Sequence, residues 1–304
     1  MGPAASAAVL VSAAPERPAA AGASPDELLE IARSEAVAAG ALLLESYLGG
    51  HAEGVDSKST PTDLVSDADR LAERVIREGL ALRRPDDGFL GEEGGEREGS
   101  SGLRWVVDPL DGTVNFLFGI PQWAVSIAVE DARGALAGVV HDPVRGETFA
   151  AVRDGGSPTL QAPAVANPIS GHPPPGSGVG SGSLQTRELR ASGCSDPANA
   201  MLATGFAYDA QVRAAQARVL AEVIPHVRDI RRFGSAALDL AWTAAGRYDA
   251  YFERTVKRWD IAAGALICEA AGLQVLDLPV YEDLPWGILV APPGLCERLL
   301  ELVG

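Results

Sequence analysis

A chain of 304 residues, 47% hydrophobic and 22% charged, has the length and composition of one large globular domain or two fused halves. Its formal charge of −16, from 41 acidic against 25 basic residues, argues against a general polyanion binder, because nucleic-acid affinity comes largely from Lys and Arg at phosphates. No stretch reaches the run of about 18 apolar residues that a membrane helix needs. Three widely spaced cysteines, Cys194, Cys268 and Cys296, with no CxxC or His/Cys cluster, speak against zinc and a disulfide framework.

Residues 1–24 are Ala/Pro-rich and carry one short apolar patch at Val9, Leu10 and Val11. They lack the positive charge and long apolar run of a secretory signal, so they read as a disordered tail on a cytoplasmic protein. A helix is expected over 25–50, where Ser24 can cap and Leu28, Leu29, Ile31, Ala32 and Ala36 recur at helical spacing. A second runs from Ser66 to about Leu82. Gly88-Phe89-Leu90-Gly91 reads as a short strand entering a loop over 91–102. Trp105-Val106-Val107 reads as a buried strand stopped by Asp108-Pro109, and 123–130, 136–141 and 147–153 as an antiparallel meander.

Between 155 and 182 the chain is too rich in Pro, Gly and Ser to hold a packed core, so a mobile surface insert is expected. Helices follow at 196–204, 210–223 and 234–245, a strand at 248–252, a helix at 260–271, a strand at 287–291 and a short helix at 294–302. The reading is one domain over 25–304, with an α+β half at 25–154 and an α/β half at 183–304.

The chemistry lies in a minority of the carboxylates. In Trp105-Val106-Val107-Asp108-Pro109-Leu110-Asp111-Gly112-Thr113 a buried strand delivers Asp108, and a turn can aim Asp111 at the same point. Magnesium takes oxygen ligands, a few carboxylates together with waters and phosphate oxygens. Gly112 lets the backbone approach closely, and amides of the next turn can face a phosphate. Read singly, Asp108 and Asp111 could equally cap local amides. Glu92 could belong to a solvated acidic loop. Asp260 is an ordinary helix cap, and Asp69 completes a capping box with Ser66.

Taken together, these segments resemble the inositol monophosphatase family. Gly91-Glu92-Glu93, then Asp108 to Phe116, then Trp259-Asp260-Ile261-Ala262-Ala263-Gly264 match its signature blocks in order. Lys58 to Val65 followed by Asp69 matches a fourth, and Gly234-Ser235-Ala236-Ala237 and Tyr251-Phe252-Glu253 match two substrate-side segments. The resemblance spans roughly 27–302. It implies the layered αβαβα sandwich of the inositol monophosphatase and fructose-1,6-bisphosphatase type, usually dimeric and commonly inhibited by lithium.

By the same resemblance, Glu92, Asp108, Asp111 and Asp260, with the Leu110 carbonyl, would bind two or three Mg2+ ions. Mn2+ would be a substitute, and Li+ or Ca2+ inhibitors. Asp69 would serve a weaker metal or support the others. The amides of Gly112 and Thr113 would hold phosphate, Gly234, Ala236 and Glu253 the alcohol, and Lys58 would lie near the phosphate. Glu92, Thr113 and Asp111 would carry catalysis. The 155–182 insert departs from the family, interrupting a region that normally forms a tight hairpin.

The expected reaction is hydrolysis of a phosphate monoester of a small polyol, inositol monophosphate first. A sister phosphatase acting on histidinol phosphate, fructose 1,6-bisphosphate or a 3′-phosphonucleotide is the nearest rival. A non-catalytic partner of a transcription complex is a second, and a glycosidase using Asp108 and Asp111 a third. No direct nucleic-acid or membrane partner is expected.

Overall fold

A computed structural model describes residues 22–49, 56–57, 64–163, 184–281 and 283–304. The expectations for residues 1–21 of the tail, for Lys58 and for 164–182 of the insert lie outside the described residues.

Helix α1 (Pro25–Gly49) buries Leu28, Ala32, Ala36, Ala39 and Leu43, a stripe at spacings of three and four. Strands β1 (Asp56–Ser57) and β2 (Leu64–Val65) pair antiparallel, and α2 (Asp67–Arg83) starts at the capping box of Ser66 and Asp69. Then come β3 (Gly88–Gly91), β4 (Gly95–Arg97), β5 (Arg104–Asp111), the short α3 (Thr113–Leu117), β6 (Ala124–Asp131), β7 (Gly134–Asp142), β8 (Glu147–Val152), β9 (Thr159–Pro163) and β10 (Leu184–Glu188). Strands β3 to β10 form one sheet in the order β10-β9-β8-β7-β6-β5-β3-β4, antiparallel except where β3 lies parallel to β5.

The second half runs β11 (Met201–Thr204), α4 (Ala210–Val223), β12 (Asp229–Arg231), α5 (Ala236–Ala244), β13 (Ala250–Arg254), α6 (Arg258–Ala270), β14 (Gln274–Leu278), β15 (Gly287–Ala291) and α7 (Pro293–Val303). Its five strands are ordered β12-β11-β13-β15-β14.

Strand alternation turns this order into layers. Successive side chains point to opposite faces, so Trp105 and Val107 pack with α1 and α2 while Val106 packs with α5 and α6. On the smaller sheet, Ala203, Tyr251, Ile288 and Val290 face α5 and α6 from the other side. Leu202, Phe252, Leu289 and Ala291 face Leu295, Leu299 and Val303 of α7. The result is helix, sheet, helix, sheet, helix: the five-layer αβαβα sandwich expected from the resemblance. Both faces of each sheet are covered, so the central strands are buried nearly end to end.

Two glycines allow the middle layer to close. A Cβ on Gly264 of α6 would meet the Leu240 Cβ of α5 at 2.6 Å, and one on Gly138 of β7 would meet the Ala263 Cα at 2.9 Å.

Several expectations are corrected. The segment 196–204 is a 3-10 turn at Pro197–Asn199 followed by β11, because a short buried apolar run carries no period that separates helix from strand. The 91–102 loop contains β4. Strands β12 and β14, with no strong apolar alternation, went unpredicted. The insert does not begin at 155: Thr159–Pro163 pairs with β8 and with β10 in an antiparallel register running Leu184↔Pro163 to Glu188↔Thr159. The two arms are thus in place, and they stand four and five strand spacings, about 19 and 24 Å, from β5.

His141 on β7 is buried beneath α1, its Nδ1 2.9 Å from the Thr148 hydroxyl, and burial pulls its pKa down to about 4. The unfolded chain therefore binds a proton near pH 6.5 that the fold refuses until about pH 4. Stability is lost as pH falls through this window, by about 3 kcal/mol from this group. Denaturant titrations at pH 7 and pH 4.5 should show a smaller loss in His141→Gln than in the parent; equal losses would contradict the assignment.

Candidate active site

The site grows from the ends of two parallel neighbours. Strands β3 and β5 run side by side with Gly91 opposite Val107, so the next residues, Glu92 and Asp108, emerge together where that pairing ends. The Glu92 amide donates to the Val107 carbonyl at 3.2 Å.

Asp108 and Asp111 are three apart and would point to opposite faces of a regular strand. They do not, because β5 is bulged. Asp108 is opposite Ser126 and Asp111 opposite Ala124, so three steps on β5 match two on β6. The extra residue restores both carboxylates to one side. Pro109 thus sits within a bulged strand and does not stop it, which corrects the expectation of a strand ended at Asp108-Pro109. Oδ1 of Asp108 accepts the Leu110 amide at 3.0 Å.

Asp260 arrives from the N-terminus of α6. The Ser126 hydroxyl donates to the Trp259 carbonyl at 3.3 Å, which ties that helix start to the strand residue opposite Asp108. Oδ2 of Asp260 accepts the Lys257 amide at 2.6 Å, so it caps its helix and faces the cluster at once.

The four carboxylates feel one another. Asp108 is held well above the usual carboxylate range, first by burial and then by the charges of Glu92, Asp111 and Asp260. Asp260 is raised in the same way, by burial, then Glu92, with Asp111 and Glu253 adding to it. Burial lifts Asp111 to about 6 against the pull of Ser235 and the amides of Ala237 and Ala236. An oxygen-only donor set, with Asp108 and Asp111 buried and Glu92 and Asp260 half-buried, whose charges repel suits a hard divalent cation. Among the described residues no three acidic, imidazole or thiol groups form a ready-made metal cage. An ion such as Mg2+ does not require one, since it keeps waters and substrate oxygens in its shell.

Around these carboxylates lie several of the other residues singled out in the sequence. The Thr113 hydroxyl lies 2.9 Å from Asp69 Oδ1 and 3.0 Å from the Leu110 carbonyl. Asp69 also accepts the Ser66 amide at 3.0 Å, so capping and site contact coexist. Gly112 precedes α3 at φ +98°. The Asp111 carboxylate reaches across to α5, accepting from the Ser235 hydroxyl, from the Ala237 amide at 2.8 Å and from the Ala236 amide at 3.3 Å. Asn115 donates to the Gln122 carbonyl at 2.7 Å and the Phe233 carbonyl at 2.6 Å, tying the Asp-Gly-Thr turn to Gly234. Glu253 on β13 accepts from the Tyr251 hydroxyl at 2.9 Å, and burial pushes its carboxyl up to about 7.

Sequence reasoning missed two acids. Asp239, one turn after Ser235 on α5, is buried and pushed well above the usual range by burial, then by Glu253 and Asp111. Glu73, one turn after Asp69 on α2, accepts the Glu93 amide at 2.7 Å. The available signal was the helical spacing of four from a residue already singled out.

The crystal structure of extragenic suppressor protein suhB from Bartonella henselae superposes with a TM-score of 0.75 at 33% identity, covering 91% of this chain and 98% of that one. Fold and topology together define a layered αβαβα protein. The sequence profile of the inositol monophosphatase family matches residues 24–299. An inositol-1-monophosphatase of Mycobacterium leprae is 40% identical over 292 residues, 91% of this chain and 93% of its own. A Nus factor SuhB of Pasteurella multocida is 37% identical over 280 residues, 91% and 95% of the two chains. The chain belongs to the inositol monophosphatase family. Among the described residues no helix is long and apolar enough to cross a membrane.

Proposed function

We propose that the protein hydrolyses the phosphate monoester of a small polyol with Mg2+, and that inositol monophosphate is the substrate. The observation that carries this is the convergence of Glu92, Asp108, Asp111 and Asp260 beside the Gly112-Thr113 turn. Glu92, Asp108, Asp111, Asp260 and the Leu110 carbonyl would hold the metal. Bound Mg2+ supplies positive charge against a phosphate dianion and the alcohol oxygen leaving it.

The chain's own groups do the rest. With its proton donated to Asp69, the Thr113 hydroxyl can accept a hydrogen from the attacking water and turn an oxygen lone pair toward phosphorus. Glu92 takes the proton that water gives up as the bond from phosphorus to the alcohol oxygen breaks, and the departing alkoxide takes up a proton from solvent. The amides of Gly112 and Thr113 hold phosphate oxygens, and Glu253 accepts hydrogens from the alcohol's hydroxyls. Asp111, gripped by α5, couples the metal side to the alcohol side at Gly234 and Ala236.

The name Nus factor on several relatives offers a second reading, a non-catalytic partner of a transcription complex. The full set of four carboxylates favours the enzyme. Phosphate release from inositol 1-phosphate should rise with Mg2+ and exceed that from histidinol phosphate, fructose 1,6-bisphosphate and a 3′-phosphonucleotide, and Li+ should inhibit it. Release that ignores EDTA, or none from any of the four, would defeat the proposal.

A further inference from the structure

The 92–94 turn must hold Glu92 toward Asp108, yet it lies between two short strands and contains a glycine, Gly94. Something must fix it. The Glu73 side chain, 3% exposed, comes up from α2 beneath this turn and accepts the Glu93 amide at 2.7 Å, with the Gly94 amide also directed at it. The turn is shaped around that carboxylate. A Cβ on Gly91 would lie 2.4 Å from Glu73 Oε2, and one on Gly94 would lie 2.3 Å from Oε1.

We infer that Glu73 is a positioning residue of the active site, its carboxylate clamping the 92–94 turn so that Glu92 stays beside Asp108. With Asp69 four residues earlier holding the Thr113 hydroxyl, one face of α2 fixes both acidic segments from below. A carboxylate suits this place because it only accepts hydrogen bonds, and two amide N–H groups point at it. Glutamine keeps the shape but must turn its NH2 toward one of those donors.

The inference rests on the proposed metal-dependent reaction for its consequence, and its test reads metal binding directly. Mn2+ bound to the full-length protein is counted by the loss of its free electron paramagnetic resonance signal. Glu73→Ala should weaken Mn2+ binding at least about tenfold, as loss of groups that orient metal ligands generally does, and Glu73→Gln by less. At saturating Mg2+ the Glu73→Ala kcat should recover most of its loss.

Gly94→Ala should also weaken Mn2+ binding, because its methyl displaces the Glu73 carboxylate. Added to Glu73→Ala it should weaken binding no further, since the space is then vacant. Ile76→Ala, fully buried on the same helix, should lower the melting temperature and leave Mn2+ affinity unchanged. Should Glu73→Ala not fold, Gly94→Ala alone carries the test. Mn2+ affinity within twofold of the parent in folded Glu73→Ala or in Gly94→Ala, or an equal weakening in Ile76→Ala, would overturn the inference. Glu73-dependent Mn2+ binding in a protein that releases no phosphate would overturn the proposed function and leave this clamp standing.

Discussion

Asp108→Asn is expected to cut phosphate release by roughly 10²–10³-fold while leaving the metal-free protein at least as stable as the parent. In the fold Asp108 is 2% exposed and surrounded by Glu92, Asp111 and Asp260. A buried charge among like charges opposes folding until a cation joins it. Asparagine removes that charge, and its carbonyl oxygen can still accept the Leu110 amide that Asp108 Oδ1 accepts at 3.0 Å. The variant therefore separates the two roles of this carboxylate. Thermal melting in EDTA should place Asp108→Asn at or above the parent. Adding Mg2+ should raise the parent's melting temperature by mass action and move the variant much less. Near-normal phosphate release, or collapse of the metal-free variant, would break the link between cluster and catalysis.

The site was more legible in the sequence than its construction. Each acidic motif had a bland reading as a cap or a solvated loop, and for Asp69 and Asp260 that reading holds too: both cap their helices and both face the site. Their order along the chain made them a set, because a resemblance carries long-range contact that local pattern cannot. How Asp108 and Asp111 come to share a side was not legible. It depends on one extra residue in β5 relative to β6, a relation between two strands that neither reveals alone. β11 was mistaken for helix for a similar reason. Its brief apolar run is buried on both sides, so no polar face marks its period. Composition likewise marked 155–182 as an insert, but Thr159–Pro163 has strand neighbours on both sides that its own residues do not announce.

Gly112→Ala tests whether the turn's geometry, apart from its charges, carries activity. At φ +98° an L-residue pays about 1–2 kcal/mol for a left-handed backbone. Its Cβ would also stand 2.9 Å from the Gln122 carbonyl oxygen and 3.2 Å from the Trp123 Cα, backbone atoms that cannot swing aside as a side-chain end can. The turn must therefore shift, and Thr113, whose hydroxyl is placed by Asp69, shifts with it. Small displacements of positioned groups cost up to about a hundredfold in rate. Gly102→Ala supplies the comparison: Gly102 has φ +84° with nothing within 4 Å of its Cβ position, so it carries the backbone strain without the collision and far from the carboxylates. Both variants should melt below the parent, but only Gly112→Ala should lose phosphate release, by roughly ten- to a hundredfold at saturating Mg2+. Full activity in Gly112→Ala would mean that the amides and hydroxyl of this turn do not position the reacting groups.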